Sequence, residues 1–402
     1  MKKILIVSQY FWPENFKIND LAVSLKKRGY EVAVLTGKPN YPQGKFFKGY
    51  GFFPPMKENF NGIEIYRVPI FPRGNGSGIM LLLNYLSFVF FGSIFILFHR
   101  KKYDLSITYA ISPITQVFPA LVHKLFFKSK VYIWLQDLWP ESVYAAGKVN
   151  SRLVMNLLNR MVRFIYKNCD KVLVQSEAFT NSMIDKGMQK TNIHYIPNWA
   201  EDVFTSSLLS SQEPKYKLPV GFKIVFAGNI GEAQDFESLI KAASLTKEFP
   251  DIKWVFVGDG RKKSWVQDQI KIQKLEKTVF LPGLFPIEDM PSFYAQADIL
   301  LISLKNEDIF SLTIPVKLQP YMAAGKPIAG MLNGVGAELI QLANCGFACA
   351  AGDYVSLSTH IIEAYQMNPD TLYQWGLNGK KYHDNTFQKE LILNNLTSII
   401  DG

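Results

Sequence analysis

The sequence predicts an α/β protein of two successive units, each a parallel sheet flanked by helices. Three observations carry this expectation. A chain of 402 residues is too long for one ordinary core. Short apolar runs alternate with helical-period segments along the chain, the pattern of repeated β-α-β units. The pattern lapses into a polar stretch from Asn198 to Lys217, which reads as an interdomain linker, and restarts at Lys223.

Composition narrows the class. Hydrophobic residues make up 48% and charged residues 19%, which excludes a disordered chain. Three cysteines, Cys169, Cys345 and Cys349, are too few for a disulfide framework and fit a reducing compartment. Cys345 and Cys349 have no neighbouring His or Cys to complete a metal site and read as core residues. Charge is shared unevenly. Residues 1–200 hold 26 Lys+Arg against 11 Asp+Glu, leaving 18 against 23 for the remainder. An excess of +15 on one half implies an anionic partner for that half: nucleic acid, lipid headgroups or a pyrophosphate.

The elements come in order along the chain. The opening MKKILIVSQYF is too short in its apolar run for a signal peptide, and Lys3–Ser8 reads as the first strand. Asp20–Arg28 is a helix stopped by Gly29, and Glu31–Thr36 is a second buried strand. The turn between, QYFWPENF, holds no glycine, so a dinucleotide's pyrophosphate cannot approach its backbone. A nicotinamide or flavin cofactor is therefore not expected there. Asn15 and Asn19 remain as polar groups at a strand's carboxyl end, where open α/β sheets bind ligands. Lys38–Asn61 reads as a long aromatic loop whose rings stack on a sugar, dip into lipid or fill a satellite core.

Gly62–Pro69 is another strand. Ile79–Phe98 is mostly apolar, ends in His99-Arg100-Lys101-Lys102, and reaches the length of a membrane span. The strands on either side, Ile63–Val68 and Leu105–Thr108, belong to one sheet, which argues against a crossing. The expectation is a helix partly against the sheet and partly in the membrane interface, its basic end on lipid phosphates. A wholly buried crossover helix is the alternative. Tyr109–Phe127 reads as a helix and Val131–Leu135 as a strand that delivers QDLWPES to the sheet's carboxyl edge. Asp137 and Glu141 lie four apart there and are candidate site carboxylates. Glu141 alone also suits a helix N-terminus. Ser151–Lys167 is a basic amphipathic helix with an apolar stripe of Leu153, Leu157, Met161 and Ile165. Lys171–Gln175, Glu177–Lys186 and His194–Pro197 close this half as strand, helix and strand.

In the second half Lys223–Ala227, Lys253–Val257, Thr278–Leu281, Ala297–Ser303, Ala329–Met331 and Gly346–Ala350 read as strands. Asp235–Glu248 and the tail Pro369–Ile400 read as helical. Two glycine turns, GNIG at Gly228–Gly231 and GDGR at Gly258–Arg261, come after successive strands and let backbone amides approach a phosphate. Ser311–Ala329 reads as a helix opened by Pro315, capped by Ser311 or Thr313 and stopped by Gly325, then a strand. A helix N-terminus favours anions. Lys317 in that first turn is out of place unless something negative sits there; the alternative is a surface lysine on a capped helix. Arg261 and Lys317 together supply two cations for a diphosphate.

The runs IPNWAEDVF, FAGNIG, VFVGDGR and YMAAGKPI, in that order, resemble the hinge and donor half of family-four retaining glycosyltransferases. The whole chain resembles their GT-B plan, two Rossmann-like domains facing a cleft. DLWPES with TIPVKLQPYMAAGKPI is similar, more narrowly, to bacterial enzymes of O-antigen and capsule assembly, including N-acetyl-L-fucosaminyl transferases. The chain departs from the family at its pair of glutamates, where Leu312 and Pro320 stand, so neither role carries over. Asn229 and Gln234 stand roughly where an Arg and a Lys are usual, and Glu307 lies near the missing pair.

The resemblance implies an acceptor-binding, membrane-associating domain over 1–200 and a donor domain over 201–384. A C-terminal helix, 385–402, is expected to pack back on the first. It implies a nucleotide-sugar donor, a UDP-sugar, against Asn229, Gly231, Gly258, Arg261, Thr313, Ile314 and Lys317. It implies a lipid-linked saccharide acceptor on polyprenyl diphosphate, positioned by Asn15, Asn19, Asp137 and Glu141. Asp137, Glu141 and Lys317 carry catalysis, with retention of configuration. The chain has no Asp-x-Asp triad, so no metal is expected, and no cofactor or nucleic-acid partner either. The implied place is the cytoplasmic face of the inner (plasma) membrane, peripheral. A nucleotide-sugar epimerase of the same fold is the alternative enzyme, distinguished by turnover without acceptor. A basic membrane- or nucleic-acid-binding protein is the alternative of another class, distinguished by salt-sensitive binding to nucleic acid.

Overall fold

Two sheets organise the chain in the computed structural model, which describes residues 1–54, 56–145, 151–206 and 216–402. The contacts divide it into Met1–Ile196 and Pro197–Gly402. Residues 207–215 of the expected linker lie outside the described residues.

The first unit runs β1 (Lys3–Val7), α1 (Lys17–Lys27), β2 (Glu31–Gly37), β3 (Met56–Phe60), β4 (Ile63–Val68) and α2 (Gly78–His99). It continues through β5 (Leu105–Ala110), α3 (Phe118–Phe127), β6 (Lys130–Leu135), α4 (Glu141–Ala145), α5 (Arg152–Asn168), β7 (Lys171–Val174), α6 (Phe179–Asp185) and β8 (Ile193–Tyr195). The strand order is β3-β4-β2-β1-β5-β6-β7-β8, and every pairing but β3–β4 is parallel. Helices cover both faces of a parallel sheet, which is why Ile4–Val7 and Val131–Leu135 are continuously apolar and buried. β1 lies between β2 and β5, so the chain leaves it toward both edges. The crevice beyond the carboxyl ends of β1 and β5 is the switch point at which such sheets bind ligands.

Three expectations change here. The aromatic loop contains β3, whose sequence MKENF alternates partly covered and exposed residues at a sheet edge. What secures it is Glu58, whose Oε2 accepts from the buried Arg67 Nε at 2.7 Å. Strand β5 runs on to Ala110, and the α-helix begins only at Phe118, after a loop and a 3-10 turn over Ile114–Val117. Helix α1 begins at Lys17, ahead of the polar Asn19 and Asp20 that sequence alone assigns to the loop and the helix start.

Helix α2 has the length and composition of a membrane span, yet only a third of its apolar window is buried. The strands before and after it, β4 and β5, lie in one sheet. Leu81, Asn84, Ser87, Phe88, Gly92 and Ile96 form its inward stripe. A Cβ on Gly92 would lie 2.9 Å from Pro119, so α2 rests directly on α3. The other face exposes Ile79 (75%), Leu82, Leu86, Phe90 and Phe98 (81%). Phe52, Phe53, Phe71 and Phe91 pack together beside it. Of the stripe expected on α5, Leu153 and Leu157 face solvent; the buried residues are Val162, Ile165 and Tyr166.

The second unit holds α7 (Asp202–Ser206), β9 (Phe222–Ala227), α8 (Phe236–Leu245), β10 (Ile252–Val257), α9 (Lys263–Ile272) and β11 (Val279–Gly283). Then come α10 (Met290–Gln296), β12 (Ile299–Ser303), α11 (Asp308–Leu312), α12 (Leu318–Ala323), β13 (Ile328–Met331), α13 (Val335–Leu342), β14 (Gly346–Cys349), α14 (Tyr354–Gln366), α15 (Pro369–Thr386) and α16 (Lys389–Asp401). Its order, β11-β10-β9-β12-β13-β14, is wholly parallel and reverses between β9 and β12. Phe226, Phe236 and Phe256 meet edge to face at the centre of its core. Cys345 and Cys349 are buried, as their apolar neighbours require.

Helix α12 is held from behind by α15. At the crossing Gly376 leaves no room: a Cβ there would lie 2.1 Å from the Gly325 carbonyl oxygen. Gly376→Ala is expected to lower the stability of the second unit by about 1–3 kcal/mol, the usual cost of overpacking, in a denaturant titration. Because α15 backs α12, the same variant should also weaken any ligand held at the α12 N-terminus.

Candidate functional site

The carboxyl ends of β9, β10 and β12 gather at the second unit's switch point. The turns after β9 and β10 are stitched together: the Ile230 amide donates to the Asp259 carbonyl at 2.8 Å and the Lys262 amide to the Ile230 carbonyl at 3.0 Å. Gly258 (φ +142°) approaches Gly228 so closely that a Cβ would lie 1.9 Å from its carbonyl oxygen. The glycines thus serve turn-to-turn packing as well as leaving backbone open. Asn229 folds over its own turn, since a Cβ on Gly231 would lie 2.4 Å from Asn229 Nδ2. Arg261, flanked by these anchored residues, is exposed and has no ion partner among the described residues.

Lys317 lies against this junction. A Cβ on Gly228 would fall 2.6 Å from Lys317 Cε and 3.0 Å from Nζ. The Nζ stands 3.6 Å from the centroid of the Phe226 ring. No carboxylate pairs with it among the described residues. Burial pulls its ammonium down to about 7.

The local structure around it differs from the expected single helix. Ser311 belongs to α11, and Thr313 Oγ1 donates to the Ile309 carbonyl at 2.8 Å instead of capping α12. Pro315 precedes the helix, its carbonyl accepting from the Leu318 amide at 2.9 Å. Lys317 is the N-cap residue of the short α12. Ile314 is buried. Ser303 Oγ, at the end of β12, and the side chain of Gln319 in α12 are buried without hydrogen-bond partners among the described residues.

Sequence reasoning missed two further cations. Glu232, just past GNIG, pairs with Lys262 at 3.0 Å and Lys305 at 2.8 Å. Lys305 and Lys262 hold its carboxyl below the usual range. One carboxylate therefore ties the segments after β9, β10 and β12. The cations stand in ordinary polar runs, and only the sheet order shows that they converge.

In the first unit the predicted residues do different things. Asn15 is exposed at the loop tip. Asn19 is committed to its own loop, accepting from the Trp12 amide at 2.9 Å and donating to the Glu14 carbonyl at 2.7 Å. Asp137, just past β6, accepts from the Ser112 amide at 2.9 Å, and burial raises its carboxyl. Glu141 opens α4 and accepts from Lys186 Nζ at 2.5 Å and Ser182 Oγ at 3.2 Å. The two carboxylates engage separate neighbours.

A denser polar group sits beyond β1. The Gln9 amide donates to Gln116 Oε1 at 2.8 Å, and Gln9 Nε2 to Asn84 Oδ1 of α2 at 2.6 Å. Glu14 Oε1 accepts from the Asn40 and Tyr41 amides at 2.8 and 2.7 Å, and burial pushes its carboxyl up to about 7. Arg73 Nη1 donates to Tyr10 Oη at 2.5 Å and its guanidinium lies over the Tyr10 and Tyr41 rings. Tyr85 of α2 is close enough to feel both Arg73 and Asp137.

Residues 16–199 match the glycosyl transferase 4-like domain and residues 221–367 match the family Glycosyl transferases group 1. The chain is similar to the putative colanic acid biosynthesis glycosyl transferase WcaI of Escherichia coli (strain K12). They are 25% identical over 338 residues, 80% of this chain and 81% of that one. It is also similar to the probable glycosyltransferase WbjE of Pseudomonas aeruginosa, 26% identical over 391 residues and covering 92% of each. Among solved structures it resembles Anabaena HepE in complex with UDP, with a TM-score of 0.68 at 14% identity over 100% of both chains. These matches give the epimerase alternative no support. Two Rossmann-like units, each matched through most of its length by a glycosyltransferase description, make the chain a GT-B protein of the group 1 glycosyltransferases.

Proposed function

We propose that the chain moves a sugar from a UDP-sugar to a saccharide on polyprenyl diphosphate, in the synthesis of a bacterial surface polysaccharide. The observation that carries this reading is Lys317: a screened ammonium without a carboxylate, pressed on a glycine turn at a sheet's switch point. An unpaired cation in such a place is costly unless an anion completes it. HepE, solved with UDP, supports a uridine diphosphate as that anion. WcaI, named for colanic acid biosynthesis, supports a polysaccharide product. N-acetyl-L-fucosamine is the sugar favoured by the similarity of DLWPES and TIPVKLQP.

As the glycosidic bond to the diphosphate breaks, negative charge grows on the leaving oxygen. Lys317 and the Asn229 and Gly231 amides, the two in that turn not taken by the Val257 and Asp259 carbonyls, stabilise that charge, and Arg261 and Thr313 border it. This serves a metal-independent transfer with retention. Asp137 orients the acceptor, as does Asn15 from the loop after β1, while Glu141 fixes the segment after β6 through Lys186. The exposed face of α2 with Arg100 and Lys102, Lys101 being paired with Glu31 and Glu64, seats the first unit peripherally on the cytoplasmic face of the plasma membrane.

A thermal-shift panel of nucleotide sugars tests the donor. One selective stabiliser is expected, worth about 2.7 kcal/mol at 100 times its Kd. No response to any UDP-sugar removes the reading. Lys317→Ala should lower kcat about 10²- to 10³-fold with an unchanged circular dichroism spectrum. Lys317→Met should be more stable than the parent without ligand, on the order of 2 kcal/mol after discounting for partial solvent access. The folded lysine titrates near 7 and the unfolded one near its ordinary 10.5. Its penalty is therefore complete below pH 7 and fades as pH rises toward 10, so the gain from Met should shrink over that window. Leu82→Ser with Leu86→Ser and Phe90→Ser should abolish flotation with anionic vesicles and leave UDP binding intact. Flotation equal to the parent would refute the membrane role of α2.

A further inference from the structure

Arg73 is a cation without an anion. It stands between β4 and α2, only partly exposed. Its guanidinium donates to the buried Tyr10 phenol at 2.5 Å and lies 5.7 and 5.3 Å from the centroids of the Tyr10 and Tyr41 rings. Its amide donates to Asn40 Oδ1 at 3.0 Å, which fixes the backbone beneath it. The groups that bear on its charge are phenols, those of Tyr10, Tyr85 and Tyr41. No carboxylate pairs with it among the described residues. The phenols are neutral and Tyr10 Oη accepts from the guanidinium, so the positive charge stands among hydroxyls with no counterion and with N–H groups to spare. That is the chemistry that receives a phosphate or diphosphate ester.

The surroundings say what else the ligand carries. Five residues after Arg73 begins α2, whose outward residues Ile79, Leu82, Leu83, Leu86 and Phe90 are exposed. The segment holding Arg73 is laced along that helix: the Phe71 amide donates to Ser87 Oγ at 3.0 Å, and Asn84 Nδ2 donates to the Phe71 carbonyl at 2.5 Å. Phe71 in turn joins the Phe52–Phe53–Phe91 group. A polar, cationic cradle therefore opens onto an apolar flank on the same helix. Asp137, assigned above to orienting the acceptor, is near enough to Tyr85 to act on its phenol.

We infer that Arg73, with Tyr10, Tyr41 and Tyr85, binds the diphosphate headgroup of a polyprenyl-linked acceptor whose hydrocarbon chain runs along the exposed face of α2. This rests on the lipid-linked acceptor proposed above and assigns the residues that recognise it. Glu14 is taken by the Asn40 and Tyr41 amides, Lys38 by the Pro54 carbonyl and Arg67 by Glu58, whereas Arg73 has no carboxylate partner among the described residues and is open to a ligand.

The test uses the full-length protein and farnesyl diphosphate as the soluble probe, with farnesol, inorganic pyrophosphate and phosphatidylglycerol vesicles as the other arms. Farnesyl diphosphate is expected to stabilise the parent and farnesol to have no effect. Arg73→Met should weaken that binding about 10- to 100-fold, the loss of charge-assisted hydrogen bonds, and Arg73→Lys should recover part of it. In turnover the KM for lipid-linked acceptor should rise by the same factor while kcat and the KM for the UDP-sugar hold. Tyr85→Phe keeps the ring and the helix and serves if Arg73→Met does not fold; it should weaken the probe about 2- to 10-fold. Undiminished probe binding in these variants overturns the role of Arg73 and leaves the lipid-linked acceptor standing. Arg73-dependent binding of pyrophosphate or vesicles but not of farnesyl diphosphate overturns the prenyl assignment. Transfer by the parent to soluble saccharides alone, with every prenyl diphosphate ignored, overturns the acceptor reading itself.

Discussion

The second unit is arranged around one unfavourable placement, the Lys317 ammonium between the Phe226 ring and the Gly228 backbone. The nearby residues make room for it. Gly228 has no side chain to occupy the space, Gly258 has none to push Gly228 away, and Phe226 offers the face of a ring in place of a carboxylate. A lysine screened from water and given no counterion favours its neutral form. The fold tolerates this because the cost falls on a single side chain, while the Phe226, Phe236 and Phe256 core beneath is fully apolar and closely packed.

The first unit reaches its own switch point differently. There the carboxyl end of β1 is crowded with polar side chains tied to one another and to backbone amides, with Gln9 Oε1 left without a partner among the described residues. Gln9 bridges to Gln116 and to Asn84, and Glu14 to two amides. Asn84 matters doubly. It is buried in an otherwise apolar helix, and its hydrogen bonds fix how far α2 can slide along the sheet. A helix apolar on nearly every face has no preferred orientation from hydrophobicity alone. Asn84 and Ser87 supply one, which decides which residues face outward.

Much of the fold was legible because its physics is local. A parallel strand buried on both faces has to be continuously apolar, and Lys3–Val7, Ile252–Val257 and Ile299–Ser303 were found on that signal. Strand β3 was not, since MKENF owes its place to a pairing with Arg67 formed across the sheet edge. The candidate site was legible where backbone chemistry leaves a mark, as in the glycine turns after β9 and β10. It was illegible where partners come from distant segments. Asn19 looks as available as Asn15 in sequence, but its loop consumes it. Thr313 looks like a cap, but Ile309 takes its hydroxyl. Glu232, Lys262 and Lys305 are ordinary singly and become a cluster only when the order of the strands is known.

Arg73 and Lys317, both without a carboxylate partner among the described residues, differ in kind, and the difference fits the charges they would meet. Arg73 keeps its proton at any physiological pH and presents a planar fork, suited to holding an ester whose charge does not change during turnover. Burial lowers the Lys317 ammonium toward neutral pH, so its proton is held less firmly than that of an exposed lysine. An arriving diphosphate would draw a proton onto it, and a departing one would release that proton again. A lysine in that position is therefore matched to a leaving group, whose charge increases as the bond breaks. Guanidinium at the same place would hold the departing diphosphate as tightly after the reaction as during it, and product release would slow.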